Sequence, residues 1–154
     1  MSIESRKRLQ HAQDQLVTSL MQGGDAPPGF KEEDLASAAR SLLAKRRRLV
    51  QLAWPVFETT LSGQFISRFN EYARQAPLFL EAQGRQDGAR FARWLLQQGQ
   101  LPDPCRLALM QVELEGITRP RRGVAVRFAW LKERRRLAMG IKLPFFHSWV
   151  FPGK

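Results

Sequence analysis

Cysteine occurs once in the 154 residues, at Cys105, so no internal disulfide can form and the thiol has no ligating companion nearby. A reducing cytoplasm is the setting this predicts. Histidine is almost as scarce: His11 and His147 stand far apart, and with no His or Cys at ligand spacing the chain is expected to hold no metal and no cofactor of its own. No glycine-rich phosphate loop follows a strand. Glu113 and Glu115, two apart on a helix, point to different faces, which argues against paired acid and base work. The opening MSIESRKRLQHAQDQL lacks the apolar core of a signal peptide, and no later run approaches the roughly 20 apolar residues of a membrane span. Internal repeats and low-complexity stretches are missing too. Without a base, a metal or a cofactor loop, the chain reads as a cytoplasmic binding protein rather than an enzyme.

What the sequence has in excess is positive charge, and it is unevenly placed. Lys and Arg number 25 against 14 acids, but from Gly116 onward there are 10 basic residues and one acid, Glu133, which leaves 15 against 13 in the first 115. A local anionic partner fits this better than general solubility. Phosphate, a membrane headgroup and an acidic peptide are all open on charge alone.

The same region holds the clearest strand pattern. In RPRRGVAVRFAWLKERRRLAMGIKLP (119–144), Val124, Val126, Phe128 and Trp130 share one parity and Leu137, Met139, Ile141 and Leu143 the other, which predicts a β-hairpin. Placing Trp130 against Leu137 pairs Phe128 with Met139, Val126 with Ile141 and Val124 with Leu143, and leaves Lys132, Glu133, Arg134 and Arg135 as the loop. One face is then wholly apolar. The other, with Arg127 opposite Gly140, Ala129 opposite Ala138 and Ala125 opposite Lys142, is thin and basic and is expected to suit an extended acidic partner. Recognition by strand addition would take its specificity from side chains beside the edge, so the candidate peptide-binding residues are Arg121, Arg122, Arg127, Lys132, Arg134, Arg135, Arg136 and Lys142.

Upstream, the pattern is helical. Leu9, Ala12, Leu16, Leu20 and Met21 predict an amphipathic helix over 5–22 stopped by Gly23 and Gly24, and DAPPG (25–29) cannot continue it. Glu32, Glu33 and Asp34 mark the next start, and Leu35, Ala39, Leu42, Leu43, Arg46, Leu49, Val50, Ala53 and Trp54 trace one face of a long helix ended or kinked by Pro55. Within it KRRR (45–48) spreads around most of a turn, so a solvated face with local ion pairs is favoured over a targeting or nucleic-acid signal. Phe57, Leu61, Phe65, Phe69 and Tyr72 continue as core positions over 56–76, broken near Ser62 and Gly63. EAQGRQDG (81–88) reads as an exposed loop whose Asp87 caps the helix carrying Phe91, Trp94 and Leu95, with Arg90 and Arg93 beside its apolar face. Asp103 and Pro104 restart a last helix over 104–115, the aspartate as cap and the proline at the first helical position. The tail PFFHSWVFPGK packs four large aromatics into eleven residues, enough to add a third short strand, cover the sheet or meet a partner.

These elements predict an α+β fold in a single domain over 1–154: a bundle of about five helices (1–116), then a small antiparallel sheet built on the basic hairpin and the aromatic tail (117–154). A helical bundle followed by a basic hairpin also resembles a winged helix with KERRR as the wing. Against that nucleic-acid-binding regulator, the candidate recognition helices carry aromatic and aliphatic faces that look internal.

The order of PPGF (27–30), LLAKRRRLVQLAWP (42–55), FNEYARQAP (69–77), DGARFARWL (87–95), LPDPCRLALMQVELE (101–115) and LAMGIKLP (137–144) resembles a family of small bacterial proteins encoded beside multinuclear non-haem iron-dependent oxidative enzymes (MNIO), and spans roughly residues 10–145. The resemblance implies a heterodimer in RiPP biosynthesis in which the enzyme carries the iron and this chain, itself non-catalytic, binds a ribosomally made precursor peptide and presents its cysteine. In the pathway to 3-thiaglutamate a carbon is excised from a C-terminal cysteine. It further implies a leader peptide, expected to be acidic here, added as a strand beside the hairpin. The expected partner interface is Arg90, Trp94, Phe145, Phe146, Trp149 and Phe151. One departure is Lys31, where an acidic cap would be expected after PPGF, so Glu32 or Glu33 would organise that helix start.

Overall fold

The aromatic spacing settles how the helices meet. Phe57, Phe65, Phe69, Tyr72 and Phe91 converge on one cluster with neighbouring ring centroids 5.0 to 6.0 Å apart, most of them stacked or edge-on as ring quadrupoles prefer and two tilted. Around it, a computed structural model describes residues 3–22, 28–76, 84–116, 124–143 and 148–151. In chain order these form α1 (Ile3–Gln22), α2 (Glu32–Ala53), α3 (Val56–Leu61), α4 (Phe65–Gln75), α5 (Gly84–Gln97), α6 (Asp103–Glu115), β1 (Ala125–Leu131), β2 (Arg136–Lys142) and β3 (Ser148–Phe151). The fold is α+β, with an antiparallel sheet of order β1-β2-β3 after the helices. A sixth described helix appears because Ser62 (φ 42°) and Gly63 (φ 80°) turn the chain through left-handed backbone, dividing 56–76 into α3 and α4. No helix among the described residues is long and apolar enough to cross a membrane.

α2 and α5 approach too closely for ordinary side chains. A Cβ on Gly84 would lie 2.2 Å from the Leu49 carbonyl oxygen, and one on Gly88 would lie 2.3 Å from the Trp54 ring. The two glycines are one turn apart and so share a face, which lets Trp54 lie flat against α5 and donate its indole N–H to the Arg85 carbonyl at 3.0 Å. Residues 84–88, expected as a loop, are therefore the first turn of α5; 81–83 lie outside the described residues. Asp87 is likewise not a cap. It is buried inside the helix and takes both arms of the Arg46 fork, from Nε at 2.6 Å and from Nη2 at 2.7 Å, plus the Tyr72 hydroxyl at 2.8 Å. The KRRR run spreads around the turn as expected, with Lys45 and Arg48 exposed, but Arg46 departs from the expected solvated face with local ion pairs: it is buried and its partner lies 41 residues away.

Other expectations hold or shift. Lys31 stands at the α2 N-cap without a side-chain bond, and Glu32, Glu33 and Asp34 occupy the first turn where the free amides favour negative charge. α1 packs on α2, yet Leu9 and Ala12 of its apolar stripe are exposed. Cys105 is fully buried, with its sulfur 3.0 Å from Thr60 Oγ1, and burial pushes the thiol pKa up despite that hydrogen bond.

Candidate functional site

The sheet follows the register its sequence dictates. Trp130 faces Leu137, Phe128 Met139, Val126 Ile141, Arg127 Gly140, Ala129 Ala138 and Ala125 Lys142, around the four-residue turn 132–135. β3 then adds Trp149 beside Ile141 and Phe151 beside Met139, which makes the tail a third short strand.

Which face turns inward is decided by backbone approach rather than by side-chain bulk. α6 lies along the thin face. A Cβ on Gly140 would sit 2.5 Å from Leu114 Cδ1, and Ala138, Leu131 and Leu114 are all fully buried. The small residues at 125, 129, 138 and 140 let strands and helix come together, as glycine within a strand commonly signals. The thin basic face, expected to meet an extended partner, is thus the seam with α6. Arg127 lies on it with Nη1 3.7 Å from Glu113, which also holds Arg93 at 3.0 Å, and Lys142 Nζ donates to the Glu115 carbonyl at 3.0 Å. Gln111 anchors β3 by donating to Ser148 Oγ at 2.7 Å.

The apolar face is consequently turned outward. Relative exposures are 46% for Val126, 62% for Phe128, 54% for Trp130, 51% for Leu137, 37% for Met139, 44% for Trp149 and 51% for Phe151, so all three strands contribute to one apolar surface. β1 is an outer strand, and among the described residues nothing pairs with its far edge.

The hairpin tip is held rigidly at the end of this surface. Asp103, expected to cap its own helix, instead accepts the backbone N–H groups of Lys132 at 2.8 Å, Glu133 at 2.9 Å and Arg134 at 3.3 Å, while Glu133 Oε1 accepts the Asp103 N–H at 3.3 Å. Arg135 turns the corner at φ 48°. The tip thus presents Lys132, Arg134, Arg135 and Arg136 as exposed cations on a fixed backbone. Of the other predicted site residues, Arg121, Arg122, Phe145 and Phe146 lie outside the described residues. Trp94 belongs to the edge of the aromatic cluster, 6.1 Å from both Phe91 and Tyr72, with its N–H donated to Gln75 at 3.1 Å; Arg90 is half-buried on the same helix. Trp149 and Phe151 are the predicted interface residues that the fold brings together. Among the described residues no three His, Cys, Asp or Glu side chains converge as a metal site would require.

A helical body with an appended sheet, open on an apolar face and closed on a small-residue face, defines an α+β unit whose distinctive surface is a sheet rather than a cleft. The chain belongs to the SCO6045-like, C-terminal domain family, whose match covers residues 10–97 and hence falls on the helical body before α6. A UPF0276 protein of Streptomyces avermitilis is 34% identical over 128 residues, 81% of this chain; the chain spans 26% of that relative's length. No solved structure matches.

Proposed function

We propose that this chain is the non-catalytic partner subunit of a multinuclear iron-dependent oxidative enzyme, and that it binds a ribosomally made precursor peptide and presents its cysteine to that enzyme, for carbon excision from a C-terminal cysteine as in 3-thiaglutamate biosynthesis. The iron belongs to the enzyme. The observation that carries the reading is the β1 edge, which no described strand pairs, beside an open apolar face and a basic tip. An extended peptide laid along β1 gains main-chain hydrogen bonds whatever its sequence, alternate side chains continue the apolar face, and an acidic stretch reaches Lys132, Arg134 and Arg135. Family membership adds support, because a unit of this type also occurs within the much longer Streptomyces relative, as expected of a module that works joined to another protein.

The test compares the labelled precursor peptide of the same gene neighbourhood with labelled duplex DNA by fluorescence anisotropy at about 0.15 M salt, where long-range charge effects are largely screened. Peptide binding lost when a proline is placed in the leader supports strand addition, since proline lacks the amide donor that pairing needs. Tight, sequence-selective DNA binding without peptide binding would instead favour the winged-helix regulator.

A further inference from the structure

We infer that the open face of the sheet is where the iron enzyme itself docks, leaving the β1 edge for the peptide at the border between the two subunits; this deepens the reading above and rests on it. Phe128, Trp130, Trp149 and Phe151 are each about half exposed, with Val126 and Leu137 between and beside them. Taking roughly 200 Å² per aromatic side chain and somewhat less per aliphatic one, the exposed apolar face is on the order of 700 Å², above the roughly 300–600 Å² of the largest patch on a typical monomer. It is also close to the roughly 800 Å² that each partner contributes to a standard interface, with the aromatic-rich centre and charged rim such interfaces show. Among the described residues no ionisable side chain interrupts the face, and the exposed cations Lys132, Arg134, Arg135 and Arg136 stand at one end of it, on the tip.

Charge decides between occupants. A second copy would bring the same tip and another net +11 toward the first, so self-association is opposed by like charge. A different protein, with an apolar patch bordered by acidic side chains, meets no such opposition. The longer relative points the same way: there a unit of this type occupies about a quarter of the chain, so it is held at high effective concentration beside a larger protein. A peptide added along β1 would then run along the rim of the subunit contact, beside the docked enzyme, where its cysteine can reach the iron.

The experiment uses the full chain and a separately purified multinuclear iron-dependent oxidative enzyme from the same organism. Wild type should bind, and Phe128→Glu combined with Phe151→Glu, at positions more than half exposed, should raise Kd at least about a hundredfold because two aromatic anchors are lost. Circular dichroism of that variant should match wild type, and the chain alone should sediment as a monomer. As a readout independent of any variant, chain labelled with fluorotryptophan should show shifts at Trp130 and Trp149, with Trp54 unmoved, when enzyme is added. The inference is overturned if the double variant binds within about twofold of wild type, if the Trp130 and Trp149 signals stay put on binding, or if the chain alone forms a dimer that the same variant dissociates. If wild-type chain does not bind the enzyme at all, the partner-subunit reading falls and takes this one with it.

Discussion

The helical body and the sheet treat bulk and polarity in opposite ways. In the body, large aromatics are enclosed and even charge is brought inside, with the Arg46, Asp87 and Tyr72 groups satisfying one another. In the sheet, the smallest residues face α6 and the largest face outward. That enclosed, mutually bonded trio is the arrangement of a unit built for its own stability, since its buried charge is partnered inside the chain. Among the described residues the sheet is packed by a helix on one face only. Its other face holds the kind of apolar surface that isolated folding does not require, and the difference separates residues enclosed in the fold from residues exposed on its surface.

The largest expected effect lies in the body. Asp87→Ala leaves the Arg46 guanidinium buried without its carboxylate and should cost about 3–5 kcal/mol by urea denaturation. Tyr72→Phe removes one hydrogen bond of the same cluster and should cost only about 1 kcal/mol. A loss from Asp87→Ala no larger than that of Tyr72→Phe would deny the body its polar keystone.

Adjacent residues of β2 sharpen the contrast between the two sheet faces. Gly140→Ala pushes a methyl group into Leu114 and should cost about 1–3 kcal/mol, whereas Met139→Thr, one residue away on the open face, should stay within about 0.5 kcal/mol of wild type. Equal costs would mean that both faces are packed.

Alkaline titration separates the regions by pH. Burial, followed by the charge and hydrogen bond of Asp87, raises the Tyr72 pKa above its ordinary value. The unfolded chain therefore releases that proton first: the contribution to stability is intact below about pH 10 and is lost as pH rises through and beyond that value. Thermal melts at increasing pH should show the decline, and Tyr72→Phe should flatten it without touching the sheet.

The smallest effect is on Cys105, whose buried thiol should react slowly with thiol reagents in the folded protein and promptly once urea unfolds it. Rapid labelling of the native chain would place it at the surface.

How far each region could be read in advance follows from the range of the interactions that built it. The β1–β2 register was legible, because two runs of period-2 hydrophobicity admit one pairing that aligns their apolar residues and leaves a four-residue turn; Trp130–Leu137, Phe128–Met139 and Val126–Ile141 form as read, while Val124 and Leu143 lie just outside the strands. Which face turned inward was less so. Bulk argues for burying Phe128 and Trp130, and only Gly140, with alanines at 125, 129 and 138, signalled that a helix needed close access to the other side. Arg46 was read as part of an inner helix face, but its partner, 41 residues away, could not be found by spacing. Asp87 and Asp103 both looked like caps because a side chain at a helix start bonds locally unless tertiary structure supplies another partner. Arg46 and the hairpin tip supplied those partners. For candidate binding residues the sequence located the right segment, while Arg127 and Lys142 turned out to lie along α6, where they meet Glu113 and the Glu115 carbonyl.

Acrylamide quenching of tryptophan in the isolated chain tests the central claim, that the sheet carries its bulky face outward. The four tryptophans divide between the two regions: Trp54 and Trp94 belong to the body, Trp130 and Trp149 to the open face. The account predicts that replacing Trp130 and Trp149 by phenylalanine removes most of the quenchable emission and shifts the remaining spectrum to the blue. If wild type is already blue-shifted and resistant to quencher, and the double replacement changes neither property, the apolar face is packed inward and the account is contradicted.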